Sequence, residues 1–165
     1  MNCKEKKGNK AIIITVSICL SIVLVIVMTL TLVDPIVGKN KMKRAREIAQ
    51  ICDQIVISAP LYNDAFLQGA EVVVNGEEAR ALSDMFLDVT ETASYDGYFD
   101  SLGGFWNTKL EFFSSEDRFA IYLKDDEIYV TKDTRGYRFE IDEVKEEAYE
   151  TLVHMVNKML EASKK

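Results

Sequence analysis

From Ala11 to Val33 the chain reads AIIITVSICLSIVLVIVMTLTLV, 23 residues without a charge. Fifteen of them are Ile, Leu or Val, and the polar groups are the hydroxyls of Thr15, Ser17, Ser21, Thr29 and Thr31. As a helix such a run spans roughly 34 Å, slightly more than a hydrocarbon core of about 30 Å. Each branched aliphatic contributes roughly -0.3 to -0.6 kcal/mol near the bilayer centre, which outweighs five hydroxyls able to bond back to carbonyls one turn earlier. β-branching disfavours a helix in water, but lipid forces internal hydrogen bonding and overrides that preference. Residues 11–33 are therefore read as a transmembrane helix that meets membrane lipid directly.

Three other uses of such a segment leave different marks. A cleavable signal has an apolar region of about 7–15 residues and a small-x-small cleavage site. This run is longer and ends in TLTLVDP, a poor site, although a secreted domain after cleavage stays an alternative. A bacterial lipoprotein needs a small residue before its modified cysteine, and Ile18 precedes Cys19. The layout resembles a type IV pilin, but that family's glutamate falls at Ile13 when counted from Asn9, so the resemblance ends there.

Orientation has no signal in the flanking charges. Lys4, Lys6, Lys7 and Lys10 precede the span, and Lys39, Lys41, Lys43, Arg44 and Arg46 follow it. That near-balance leaves the positive-inside rule nothing to act on. Signal anchors of single-pass bacterial proteins usually deliver the larger part outward, so the N-terminus is expected in the cytoplasm and the C-terminal domain outside the cell membrane.

The chain thus divides into a basic tail (1–10), the span (11–33), a basic juxtamembrane linker (34–46) and an acidic domain (47–165). The linker's cations lie at headgroup height, as an ordinary charged flank or as a hold on acidic lipids. Residues 47–165 carry 11 Lys and Arg against 25 Asp and Glu, a formal balance of -14. Such acidity favours solubility and argues against binding nucleic acid.

Within the domain, spacing predicts a short helix from Lys41 to about Cys52, after a loose joint at Gly38 and Asn40. Strands are expected at Gln54–Ser58 and Glu71–Val74, then a helix from about Glu77 to Asp88 capped by Asn75. Residues 91–107 read as a long loop. Thr108–Phe113, Arg118–Lys124, Glu127–Thr131 and Tyr137–Ile141, joined by turn-like links, predict an antiparallel meander of four strands. Alternation of Phe119, Ile121 and Leu123 against Ala120, Tyr122 and Lys124 implies one buried face and one partly wet face. Asp142 caps a last helix from Glu143 to about Glu161, with an apolar stripe from Val144 to Leu160. The fold class is α+β, an antiparallel meander covered by helices behind one transmembrane helix. Its element order resembles the small TATA-binding-protein-like or cystatin-like sheets of membrane-anchored proteins in Gram-positive bacteria. No motif accompanies that likeness.

Catalytic signals are sparse. The one histidine, His154, sits in the last helix beside Val153 and Met155, where it reads as a structural position at the core edge. Ser101 in FDSLGG lacks the glycine that a hydrolase elbow needs two residues earlier. There is no phosphate-binding glycine loop and no HExxH, and Cys3, Cys19 and Cys52 lie too far apart to suggest a zinc set. No catalytic residue, cofactor or metal is assigned. The unusual stretch is YDGYFDSLGGFWN, with Tyr95, Tyr98, Phe99, Phe105 and Trp106 among glycines and aspartates. Exposed, it forms a partner-binding loop anchored by Trp106; alternatively Phe105 and Trp106 begin the meander and fill the core. Asp96 and Asp100 miss the EF-hand spacing.

These features imply a membrane-anchored, non-enzymatic binding or regulatory module for a protein partner. A structural subunit acting through its transmembrane helix is the other class. The anchor reading has a direct check: full-length chain should stay in the pellet after alkaline carbonate washing of membranes, and release into the supernatant would remove the tether.

Overall fold

A computed structural model describes residues 3–59, 69–99, 108–115, 117–125, 127–132 and 135–164. The chain divides into two units, Met1–Val37 and Gly38–Lys165.

The first unit contains helix α1 (Cys3–Met28) and a π-helical turn at Thr29–Val33. Every side chain described from Ile14 to Val33 is exposed, Leu20 at 70%. A run of apolar side chains exposed all round suits a lipid-facing helix. Its length and composition suffice to cross a membrane. The hydroxyls take the internal route expected of them: Ser21 Oγ donates to the Ser17 carbonyl at 2.9 Å, Thr29 Oγ1 to Val25 at 2.9 Å and Thr31 Oγ1 to Val27 at 2.7 Å. Each satisfies its polar group without water.

Helix α2 runs Asp34–Ile51 and carries the chain into the second unit. The loose joint expected at Gly38 and Asn40 is absent, because Gly38 is a packing site. A Cβ there would lie 2.6 Å from ring carbons of Tyr95 and 3.1 Å from Tyr137 Cδ1. Only glycine lets the helix backbone come this close to the two rings. Met42, Ala45, Ile48 and Ala49 continue the buried stripe, so part of the stretch read as linker is core.

The second unit is built on one seven-stranded antiparallel sheet in the order β2-β1-β4-β5-β6-β7-β3. Its strands are β1 (Gln54–Ser58), β2 (Glu71–Asn75), β3 (Ser94–Phe99), β4 (Thr108–Phe113), β5 (Arg118–Lys124), β6 (Glu127–Lys132) and β7 (Arg135–Glu140). The meander expected from the turns is β4 to β7, in continuous register, with Leu110 opposite Ile121 and Tyr122 opposite Tyr129. Asp125 takes φ 48° in the β5–β6 turn, the left-handed conformation a tight hairpin needs and aspartate tolerates. The sheet grows beyond the meander on both sides. β1 and β2 add to β4, while β3 adds to β7 where a loop was expected. Within β3 the register shifts between Tyr95 and Gly97, and this bulge accommodates the glycine that made the segment read as loop.

Helix α3 (Gly76–Val89) follows β2 with no intervening residue, and Gly76 makes that reversal at φ 61°. Asn75 holds the N-cap position but makes no capping bond; its Oδ1 accepts from Gln54 Nε2 at 3.1 Å instead. Asp142 does cap, accepting from the Val144 N–H at 3.0 Å. The turn it starts is a 3-10 turn (Glu143–Lys145), and the final α-helix, α4, spans Glu146–Ser163. Val144 therefore leaves the expected stripe and is 85% exposed.

The inner sheet face and the helices close the core. Phe86 of α3 packs on Phe112 and Phe119, at centroid distances of 5.2 and 6.0 Å, and those two rings stack at 4.8 Å. Tyr149 of α4 is buried and donates to the Glu127 carbonyl at 3.2 Å. Arg46 ties α2 to the end of α3: its Nη1 donates to the Leu87 carbonyl at 2.7 Å and to Thr90 Oγ1 at 2.9 Å. A cation on the last carbonyls of a helix is favourable on both hydrogen-bond and dipole grounds. Cys52 Sγ lies 2.8 Å from Ser83 Oγ inside the same joint, and burial pushes its thiol up from the ordinary range, a shift the Ser83 contact partly offsets.

Phe86 is the ring shared by both aromatic contacts to the sheet. Phe86→Ala should destabilise the chain by about 3–5 kcal/mol, seen as a lower urea midpoint in detergent; an unchanged midpoint would place the core elsewhere.

Candidate functional site

A strand buries alternate residues, so the pattern that fills the core also composes the opposite face. With Leu110 and Phe112 inward, Lys109 and Glu111 point outward; with Ile121 and Leu123 inward, Ala120 and Tyr122 point outward. The cross-strand registers align Lys109, Tyr122, Tyr129, Arg138 and Gly97 in one row across β4, β5, β6, β7 and β3. Among the described residues no helix covers this outer face.

The row is held by its own pairs. Lys109 Nζ meets Glu111 Oε2 at 2.9 Å and stands 6.0 Å from the Tyr122 ring centroid. Arg138 reaches Asp96 Oδ2 at 2.5 Å and Glu127 Oε1 at 3.4 Å, bridging three strands. The Tyr129 hydroxyl donates a short hydrogen bond to Glu127. Tyr129 is only 8% exposed although it belongs to the outer face. Burial, then the hydrogen bond to Glu127, push its phenol up to about 12. Beside the row, a shallow hollow of about 400 Å³ lies among Lys109, Glu111, Asp117, Arg118, Ala120 and Tyr122.

Each cation in the row already has a carboxylate partner, so the face offers no free positive field for phosphates. Tyrosines with paired charges give large, rigid, amphipathic contact area. Among the described residues no three His, Cys, Asp or Glu side chains could hold a metal ion. His154 is exposed on α4.

Of the sequence-derived site residues, Tyr95 turns inward. Its ring lies 6.4 Å from Tyr137 and 5.9 Å from Phe139. Tyr98 is 39% exposed at the sheet edge, and Phe99 ends β3. Phe105 and Trp106 lie outside the described residues. The outer row was not singled out from sequence, although the alternation of Ala120, Tyr122 and Lys124 carried its signal. A second hollow, about 410 Å³, lies on the helix side among Lys39, Lys43, Arg46, Thr90 and Phe139.

No family model matches the chain. No curated protein matches it either. Among solved structures it is similar to a crystal structure described as a "Putative Lipoprotein from Clostridium perfringens", with 16% identity and a TM-score of 0.49, over 71% of this chain and 90% of that one.

The raised Tyr129 phenol has a stability consequence with a definite sign. A group that holds its proton more tightly when folded contributes fully below its unfolded value, about 10, and loses that contribution as pH rises through the folded value. The stability difference between wild type and Tyr129→Phe should hold constant up to pH about 10 and change against the wild type above it. Urea midpoints across that range measure it; parallel curves would show that folding does not raise the Tyr129 phenol.

Proposed function

We propose that this chain is a single-pass, membrane-anchored binding module with no catalytic activity, whose outer sheet face meets a protein partner outside the cell. The apolar helix from Ile14 onward supports the anchor. The observation that carries the binding reading is the row Lys109, Tyr122, Tyr129 and Arg138, ordered by ion pairs yet uncovered by any described helix. With Tyr129 only 8% exposed, the surface the row offers a partner is the half-buried Tyr122 ring flanked by the paired charges of Lys109 and Arg138.

The alternative of a membrane subunit acting through its helix draws less support. Ser21, Thr29 and Thr31 spend their hydroxyl protons on their own helix, leaving fewer donors to join helices in lipid.

Two measurements check the proposal. A C-terminal tag should be digested when protease is added to intact cells, and protection of the tag would reverse the orientation. A photo-crosslinking residue at Tyr122 should give a defined adduct in cells that the same residue at Lys158, on the exposed side of α4, does not. Equal labelling at the two positions would reject the sheet face as the binding surface.

A further inference from the structure

Both cations of the outer row are paired with carboxylates, but those around the hollow on the helix side are not. Lys39, Lys43 and Arg46 fall on one face of α2, and all three line that hollow of about 410 Å³. Two carboxylates line it as well, and each is engaged by a cation from outside it. Glu47 Oε2 meets Arg44 Nη1 at 3.2 Å, and Glu91 Oε2 meets Lys145 Nζ at 3.6 Å. Lys39 and Lys43 are exposed and have no carboxylate partner among the described residues. Arg46 is half-buried, and the two acceptors of its Nη1, the Leu87 carbonyl and Thr90 Oγ1, are neutral. The hollow thus gathers three positive charges that no described carboxylate offsets.

We infer that this hollow binds the phosphate of an anionic phospholipid headgroup. Position argues for a lipid. Helix α2 begins at Asp34, the residue after the apolar run, and Lys39 stands about 8 Å of helical rise further along it. The polar layer of a bilayer extends roughly 5–8 Å beyond the hydrocarbon on each side. Helical Cα–Cβ bonds tilt toward the N-terminus, so the long arms of Lys39 and Lys43 lean back toward the end of α2 that is joined to the apolar run. Charge argues for a phosphate. A phosphodiester carries a full negative charge and accepts several charge-assisted N–H bonds at once, which two ammonium groups beside a guanidinium can donate. A choline headgroup would bring its own cation into the same cluster. The rest of the domain is acidic, so an anionic surface is drawn to this place and repelled elsewhere. Each Lys or Arg beside such a surface is worth on the order of fivefold in binding. The inference rests on the membrane-anchor reading, because the tether keeps headgroups at a local concentration that a soluble ligand lacks. It does not depend on which side of the membrane the domain faces.

The test uses the full chain reconstituted in phosphatidylcholine vesicles that contain a phosphatidylglycerol with a photoreactive group on its headgroup. Illumination should attach that lipid to peptides carrying α2 or Thr90, and the same group on a phosphatidylcholine headgroup should label them far less. Lys39→Gln and Lys43→Gln should each lower the yield about fivefold. Both lysines are exposed, so neither substitution disturbs the core, and Arg46 is left intact because it also ties α2 to α3. Lys41→Gln removes an equal charge from the same stretch of helix, outside the hollow, and should leave the yield unchanged. Equal losses from Lys41→Gln and Lys39→Gln would reduce the cluster to a diffuse charged flank and overturn the site. Equal labelling by the zwitterionic probe would overturn it too. Glycerol phosphate in the buffer should not compete; if it displaced the lipid, the hollow would take a soluble phosphate ester and the lipid assignment would fall. Chain that leaves the vesicles on carbonate washing would instead overturn the anchor reading.

Discussion

The second unit is organised by one constraint, the need to bury a single face of an antiparallel sheet. Backbone hydrogen bonds link seven strands edge to edge, but they are indifferent to which side is wet. Side-chain alternation makes the choice, and a one-residue slip would turn Leu110, Phe112, Ile121 and Leu123 into water. The helices follow from that choice. α3 brings Phe86 onto Phe112 and Phe119, α4 brings Tyr149 to the Glu127 carbonyl, and α2 brings Gly38 under Tyr95 and Tyr137. The outer face is then composed of what remains, the tyrosines and ion pairs of the alternate positions.

Much of this was legible in local pattern. The apolar run, the four-strand meander, the Asp125 turn and the cap at Asp142 depend on neighbours a few residues apart. They appear in the structure near where the pattern puts them. β3 depends on a partner more than forty positions away, with Ser94 opposite Glu140, and its glycine and aspartate mimic a loop. Gly38 looked like a helix breaker because nothing local reveals that two tyrosine rings crowd it. Asn75 had the right residue type for a cap, but Gln54 on the adjacent strand claimed its side-chain oxygen.

The candidate site divides along the same line. Its strand residues were visible as the polar half of an alternation, without any mark of importance. What singles them out is lateral alignment across five strands, which register supplies and sequence order conceals. Tyr95 shows the converse: an aromatic in a glycine-rich stretch suggested a surface, and pairing with Phe139 sets its half-buried ring against Tyr137 and Phe139.

The joint made by Arg46 bears on how the molecule carries load. Tension drawn through the N-terminal helix passes along α2 before it reaches any strand, because α2 precedes them all in the chain. There it meets a guanidinium gripping the last carbonyls of α3 at Leu87, and a thiol–hydroxyl contact between Cys52 and Ser83. A pull along the chain therefore meets these α2–α3 contacts before it meets β1, the first strand in sequence.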